Sequence, residues 1–224
     1  MAASSFAPIL EAARTRVGAG TLEARLTKPR SAAELKAVAD DRYLSQMELR
    51  IFRAGLKHSL VDAKWPAFEE VFDGFEPRRV RAMSDEALEA LLGDRRLIRH
   101  WGKLKSVRDN AAAMIGVAEE HGTFGAWLAD WPGSDIVGLW EALAKRFSQM
   151  GGNSGPSFLR MVGKDTFVLT HSVTAALKHW SAVNTPPKNR KDRAAVQSHF
   201  NAWAAATGRP LCQLSLILAA SVDD

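Results

Sequence analysis

The chain has 224 residues, 46% of them hydrophobic and 25% charged, which suffices for one globular unit of two lobes or for two small domains. Its single cysteine, Cys212, excludes an intrachain disulfide and a cysteine-cluster metal site, and no apolar run approaches the roughly 20 residues of a membrane helix. The formal net charge of +5 is a modest basic excess, compatible with a polyanionic partner.

The first twenty residues lack a basic n-region and a long apolar h-region, so no signal peptide is expected. Arg14 and Arg16 among small residues resemble a transit peptide, but Glu11 opposes that reading, and a cytoplasmic location is expected, nucleoid-associated if the protein is bacterial. From residue 40 to 56, Tyr43, Leu44, Met47, Ile51, Phe52 and Leu56 recur every three or four residues and predict a helix. Residues 57–75 continue the pattern with Leu60, Val61, Trp65, Phe68, Val71 and Phe72. Ser84 is placed to cap a run through Leu88, Leu91 and Leu92. Residues 96–121 read as one long helix, and 135–150 as an amphipathic one with Ile136, Trp140, Leu143 and Phe147 on a stripe. Segments 157–162, 170–183, 193–207 and 210–222 complete the set. Breakers fall at Gly18, Trp131–Gly133, Gly151–Pro156, Thr185–Pro187 and Gly208–Pro210. The expectation is an all-α protein of about ten helices. Trp127, Trp131, Trp140, Trp180 and Trp203 are expected in the core or between lobes.

The turn at Gln149–Phe158, QMGGNSGPSF, lies between two predicted helices. Glycines permit close backbone approach, and Ser154 before Gly155 and Pro156 marks a helix start. Amides exposed at such a start hold phosphate. This is the arrangement of a helix-hairpin-helix, which grips DNA through backbone amides without reading sequence. An ordinary interhelical loop is the competing reading on spacing alone.

FRAGL at Phe52–Leu56, the aromatic-rich run to FDGFEP at Phe72–Pro77, and RLIRHWGK at Arg96–Lys103 with Asn110–Ala111 resemble the 3-methyladenine DNA glycosylase I family. They match its F-Q-A-G-L and I-I-R-[NH]-x-x-K motifs in order and spacing, over roughly residues 39–173. The resemblance implies a two-lobed helix-hairpin-helix glycosylase fold with a cleft between lobes: residues 1–75 with 172–224 form one, and 76–171 the hairpin lobe. It further implies a damaged nucleotide flipped into a pocket, because its glycosidic bond is unreachable in the stack. Beside the hairpin aspartate stand four departures from the family. Its base-reading glutamate falls on Arg50, and the tryptophan after its A-G-L-S falls on His58. Its Y-H-D-x-E-W-G motif and its zinc-binding cysteines and histidines have no counterpart. In the hairpin superfamily's V-D-T-H segment, Leu169 or Thr170 stands at the aspartate.

Hydrolysing an N-glycosidic bond needs an activated leaving base and a stabilised oxocarbenium-like sugar, and a carboxylate or positioned base on water serves both. The catalytic candidates are His58, Asp62 and Glu48. His58 and Asp62, four residues apart, share a helix face and form an oriented pair or a plain ion pair. Glu48 points about 200° away from Arg50 on the same helix, and so reads as a solvated side chain rather than a replacement glutamate. Arg50, Phe52, Trp65, Trp101 and His171 are candidates for the base pocket, with core packing the competing reading for the aromatics. Arg50, Arg53 and Lys57 recur on one predicted face that either meets phosphate or is solvated. Gly151, Gly152, Asn153, Ser154, Gly155, Arg160 and Lys164 are the hairpin's DNA-binding candidates. No well-placed hairpin lysine supports a Schiff-base lyase, since Lys164 falls late in the motif.

The function expected is a monofunctional glycosylase that excises an alkylated, 3-methyladenine-like base from duplex DNA, monomeric and without cofactor or metal. A catalytically inactive lesion-sensing protein on the same scaffold is the alternative, and a helical protein-interaction module a third.

Overall fold

A computed structural model describes residues 5–223. Among them the chain is helical throughout, with fourteen α-helices and three short 3-10 turns. The helices are α1 (Ala7–Val17), α2 (Ala19–Arg25), α3 (Ala32–Lys36), α4 (Asp40–Arg53), α5 (His58–Val71), α6 (Pro77–Arg81) and α7 (Asp85–Ala90). They continue with α8 (Trp101–His121), α9 (Phe124–Asp130), α10 (Ile136–Arg146), α11 (Ser154–Val162), α12 (His171–His179), α13 (Arg190–Thr207) and α14 (Leu211–Ala220). The all-α expectation holds. The helices beyond the expected ten are mostly short ones, α2, α3, α6 and α9 among them, which offer too few turns for a periodic pattern.

The chain divides into two compact units. The larger holds residues 30–131 and 140–164, and the smaller holds, of the described residues, 5–29, 132–139 and 165–223. Residues 30–75 therefore group with the hairpin segment and not with the termini. The reason lies in α4, which buries Tyr43, Leu44, Met47, Ile51 and Phe52 and packs against α8 and α11.

In the larger unit, α8 is a central rod whose stripe Leu104, Val107, Ala111, Met114 and Val117 is fully buried. It starts at Trp101 rather than Arg96, because Asp94 and Glu70 hold the Arg96 guanidinium at 2.8–3.2 Å and residues 96–100 run as a turn and irregular backbone outside the helix. His100 then caps the helix, its Nδ1 accepting the Lys103 amide at 3.3 Å. Phe52, Trp65, Phe68, Phe72 and Phe75 form one aromatic cluster, with ring centroids 4.6 Å apart for Phe52–Phe68 and 4.9 Å for Trp65–Phe68. Where α9 meets α3 the backbones nearly touch: a Cβ on Gly125 would lie 2.5 Å from the Leu35 carbonyl oxygen. The Tyr43 hydroxyl donates to that same carbonyl at 2.8 Å.

The smaller unit builds its core from Phe6, Ile9, Leu22, Phe167, Leu177, Phe200, Trp203 and Leu214. Phe167 stacks on Phe200 with centroids 4.2 Å apart. The Asp165 carboxylate accepts the Leu211 and Cys212 amides at 2.9 Å each and so caps α14 from outside the helix. Cys212 is buried, in no disulfide, and its thiol donates to the Thr27 carbonyl at 3.6 Å. Trp127, Trp140 and Trp203 are buried as expected, while Trp131 and Trp180 are part-exposed.

Candidate functional site

FRAGL is the end of one helix and the turn to the next. α4 stops at Arg53, Ala54 turns extended, and Gly55 adopts φ of 76°, a left-handed value that a glycine takes without strain. Lys57 then precedes α5, so Arg50, Arg53 and Lys57 do not share one helix face as the spacing suggested. The carbonyls freed at this helix end have a specific partner. Lys103 of α8 is buried, and its ammonium donates to the carbonyls of Ala54 at 2.7 Å and Phe52 at 3.3 Å. Burial, and then the Arg50 charge, lower the pKa of Lys103. Nothing in the spacing of residues singled out this cap.

Arg50 is half-buried, and its Nε is buried with no hydrogen-bond partner. No ion pair of Arg50 exists among the described residues; its charged neighbours are Arg53 and Lys103, both cations. Burial first, and Arg53 second, pull its pKa down. Arg53 is matched, because Asp62 holds it at 2.7 Å. Asp62 is therefore the counter-ion of Arg53, not the partner of His58, which is exposed at the first position of α5.

Glu48 is not solvated. It is fully buried, and the Asn110 side-chain amide donates to its Oε1 at 2.7 Å. Oε2 is buried without a partner, since the nearby Ser106 hydroxyl donates to the Lys103 carbonyl at 2.8 Å. Burial pushes the Glu48 carboxyl up to about 8, so near neutral pH it is held largely protonated. The side chain turns inward because the face of α4 beyond the apolar stripe is covered by α8. Asn110 also reaches the glycine turn: its Oδ1 accepts the Ser148 amide at 2.6 Å, and its Nδ2 donates to the Ser148 carbonyl at 3.2 Å. One buried asparagine thus fastens α4, α8 and the turn between α10 and α11.

The turn itself is held in a tight conformation. Gln149 takes φ of 60° and Gly152 φ of 59°, and the Gln149 side-chain Nε2 donates to the Gly102 carbonyl at the start of α8, at 3.0 Å. The Gly155 amide donates to the Met150 carbonyl at 3.2 Å, and that of Ser154 to Gly151 at 3.1 Å. A Cβ at Gly155 would stand 3.1 Å from the Met150 oxygen, a tight contact that favours glycine at this helix start. Gly151, Gly152 and Asn153 are exposed and Ser154 is half-buried, whereas Gly155 is buried.

Several expected residues are committed elsewhere. Phe52 is a fully buried member of the aromatic cluster. Trp65 is 9% exposed, and its indole donates to Ser45 at 3.1 Å. Lys164 is 8% exposed and donates to the Trp131 carbonyl at 2.7 Å, so it caps the end of α9 and has no ammonium to spare for a phosphate. Trp101 is the exposed aromatic of the set, 37% accessible at the first position of α8. Arg160 is part-exposed on α11. His171 opens α12 in the smaller unit and is exposed. Among the described residues no group of three or more His, Cys, Asp or Glu side chains is placed to hold a metal, and no helix is long and apolar enough to cross a membrane.

The larger unit thus joins an unmatched guanidinium, an exposed indole and a glycine turn with exposed amides on elements stitched together by Lys103, Asn110 and Gln149. Such a set offers donors to an acceptor-rich or anionic ligand and a ring face for stacking. The model of the methyladenine glycosylase family matches residues 35–150, from α3 to the start of this turn. The chain belongs to the methyladenine glycosylase family. No curated protein sequence matches it.

Solved structures agree on the fold. A 3-methyladenine DNA glycosylase I is 24% identical, with a TM-score of 0.50 over 61% of this chain and 81% of its own. The Staphylococcus aureus 3-methyladenine DNA glycosylase I, described for its recognition of 3-methyladenine, is 21% identical with a TM-score of 0.51, over 56% of this chain and 77% of that one. A Methanocaldococcus jannaschii 8-oxoguanine glycosylase/lyase, solved with DNA containing 8-oxoguanine, reaches a TM-score of 0.55 at 14% identity over 94% and 93% of the two chains. At these identities the likeness is one of fold, and it extends the glycosylase fold over nearly the whole methyladenine glycosylase family member described here.

Proposed function

We propose that this protein is a DNA base-excision glycosylase that hydrolyses the N-glycosidic bond of a damaged base in duplex DNA. The observation that carries the reading is the family match from α3 to the glycine turn, together with the way Asn110 and Gln149 fasten that turn to α4 and α8. In this reading the exposed amides of Gly151 and Gly152 hold a backbone phosphate, with Arg53 and Lys57 adding positive charge at the end of α4 and the start of α5. The target nucleotide is flipped out of the stack. Trp101 offers a ring face for the extruded base or its neighbour, and Arg50 faces the base edge. Water adds at the sugar C1′ as the base departs with the bond electrons. His58, exposed and adjacent to the FRAGL turn, is the residue proposed to position or deprotonate that water, with Asp62 acting through Arg53. Because a cationic alkylated base is already a good leaving group, shape and stacking supply much of what such a site must do.

The family description makes a 3-methyladenine-like base the first substrate to assay. A lesion-sensing protein without chemistry is the second reading, favoured by one observation: of the three catalytic candidates, Glu48 is fully buried and Asp62 is ion-paired. Incubating the protein with randomly methylated duplex DNA and identifying released bases by mass spectrometry separates the two. A released base abolished by His58→Ala supports the glycosylase. Salt-sensitive DNA binding with no base released from methylated, deaminated or oxidised duplex leaves only the lesion sensor.

A further inference from the structure

The cations around FRAGL are not equivalent. Arg53 is matched by Asp62 at 2.7 Å. The Lys103 ammonium is engaged by the Ala54 and Phe52 carbonyls. Arg50 alone of the three has neither carboxylate nor carbonyl, with its Nε buried and unpaired. A half-buried guanidinium beside two other cations is unfavourable in the empty protein, so its place is explained by a ligand that supplies acceptors. It stands two residues from Glu48, whose asparagine partner holds the glycine turn. Arg50 thus lies on the same scaffold as the exposed amides.

A guanidinium has five N–H donors and no acceptor. On the edge of a purine that carries N7, a 6-keto base presents two acceptors, N7 and O6, which an arginine fork takes together. An adenine presents N7 beside an N6 amino donor, which the fork cannot satisfy. A base with a positive charge from alkylation adds repulsion against Arg50, Arg53 and Lys103. Deamination of adenine exchanges the amino donor for a carbonyl and leaves N7 free, giving hypoxanthine.

We propose that Arg50 is the specificity-determining residue and that it selects a neutral 6-keto purine with free N7, of which hypoxanthine is the simplest, over 3-methyladenine. This rests on the glycosylase reading for its catalytic consequence, but base recognition can be measured without catalysis.

The experiment pairs duplexes containing hypoxanthine, or 3-methyladenine from methylation, with titration of the two free bases followed by tryptophan fluorescence. The wild type and the R50Q, R50E and R50K variants are compared. The wild type releases and binds hypoxanthine in preference to 3-methyladenine, and R50Q lowers the hypoxanthine signal by about 5- to 150-fold, the worth of one bidentate contact. R50E shifts the preference toward 3-methyladenine. Should R50E fail to fold, R50K keeps the charge without the fork and still loses the hypoxanthine preference. Preferential release of 3-methyladenine, with a ratio unchanged in R50Q and R50K, overturns this inference and leaves the glycosylase standing. Arg50-dependent binding of free hypoxanthine without release from any duplex supports the inference while the catalytic reading falls. No binding and no release of hypoxanthine overturns the inference.

Discussion

Glu48 and Arg50 are two residues apart on one helix, yet they meet opposite electrostatic fates. The carboxyl is sealed in with one amide donor and takes a proton, whereas the guanidinium stays charged at the edge. Burial raises the Glu48 pKa from the ordinary 4.5 to about 8, so between those values the folded protein binds more protons than the unfolded chain. Stability is then greatest below pH 4.5 as far as this group is concerned, and falls as pH rises toward 8. Glu48→Gln keeps the acceptor for Asn110 without the titration. It is expected to flatten the decline of melting temperature between pH 5 and 8, about the window set by the raised carboxyl. Glu48→Ala strands the Asn110 amide and costs about 1–3 kcal/mol at any of these pH values by chemical denaturation. Spacing indicated an exposed Glu48 because a helical wheel places side chains relative to one helix axis, and its partner on the covering helix α8, Asn110, stands 62 residues downstream.

At the scale of elements, the glycine turn owes its shape to contacts outside itself. Asn110 makes three hydrogen bonds, two of them to Ser148. Asn110→Ala is expected to speed hydrogen exchange across residues 148–153 and to lower stability by about 1–3 kcal/mol, while exchange in α14 stays unchanged. The close approach of α9 to α3 makes a second test. Gly125→Ala would place a methyl 2.5 Å from the Leu35 oxygen, and the forced separation of the helices is expected to cost about 1–3 kcal/mol in a denaturant titration. Long helices such as α4 and α8 were legible from periodicity, and so was the Ser84 cap of α7, which accepts the Ala87 amide at 3.2 Å. The five residues before Trp101 were not, because ion pairs with Glu70 and Asp94 override a favourable helical pattern there.

For the molecule as a whole, the net charge of +5 acts through particular cations. A DNA glycosylase of this charge is expected to lose DNA affinity as salt rises, each phosphate contact contributing a slope of roughly 0.9 in a log–log plot. Lys57→Ala is expected to reduce that slope by about one contact in fluorescence anisotropy. Lys164→Ala leaves it unchanged, because that ammonium is spent on the Trp131 carbonyl.

The sequence by itself determined the helical class, the principal breakers, the absence of an intrachain disulfide and the family, since these follow from local periodicity, backbone chemistry, the single cysteine and short motifs. It also exposed Arg50, two residues before FRAGL, as the departure from the family's pattern. Only the tertiary structure decided what that departure means. Which charges are matched, which carboxyl is sealed from water and which lysine caps a helix depend on side chains tens of residues apart meeting in one place, and no spacing along the chain encodes that meeting.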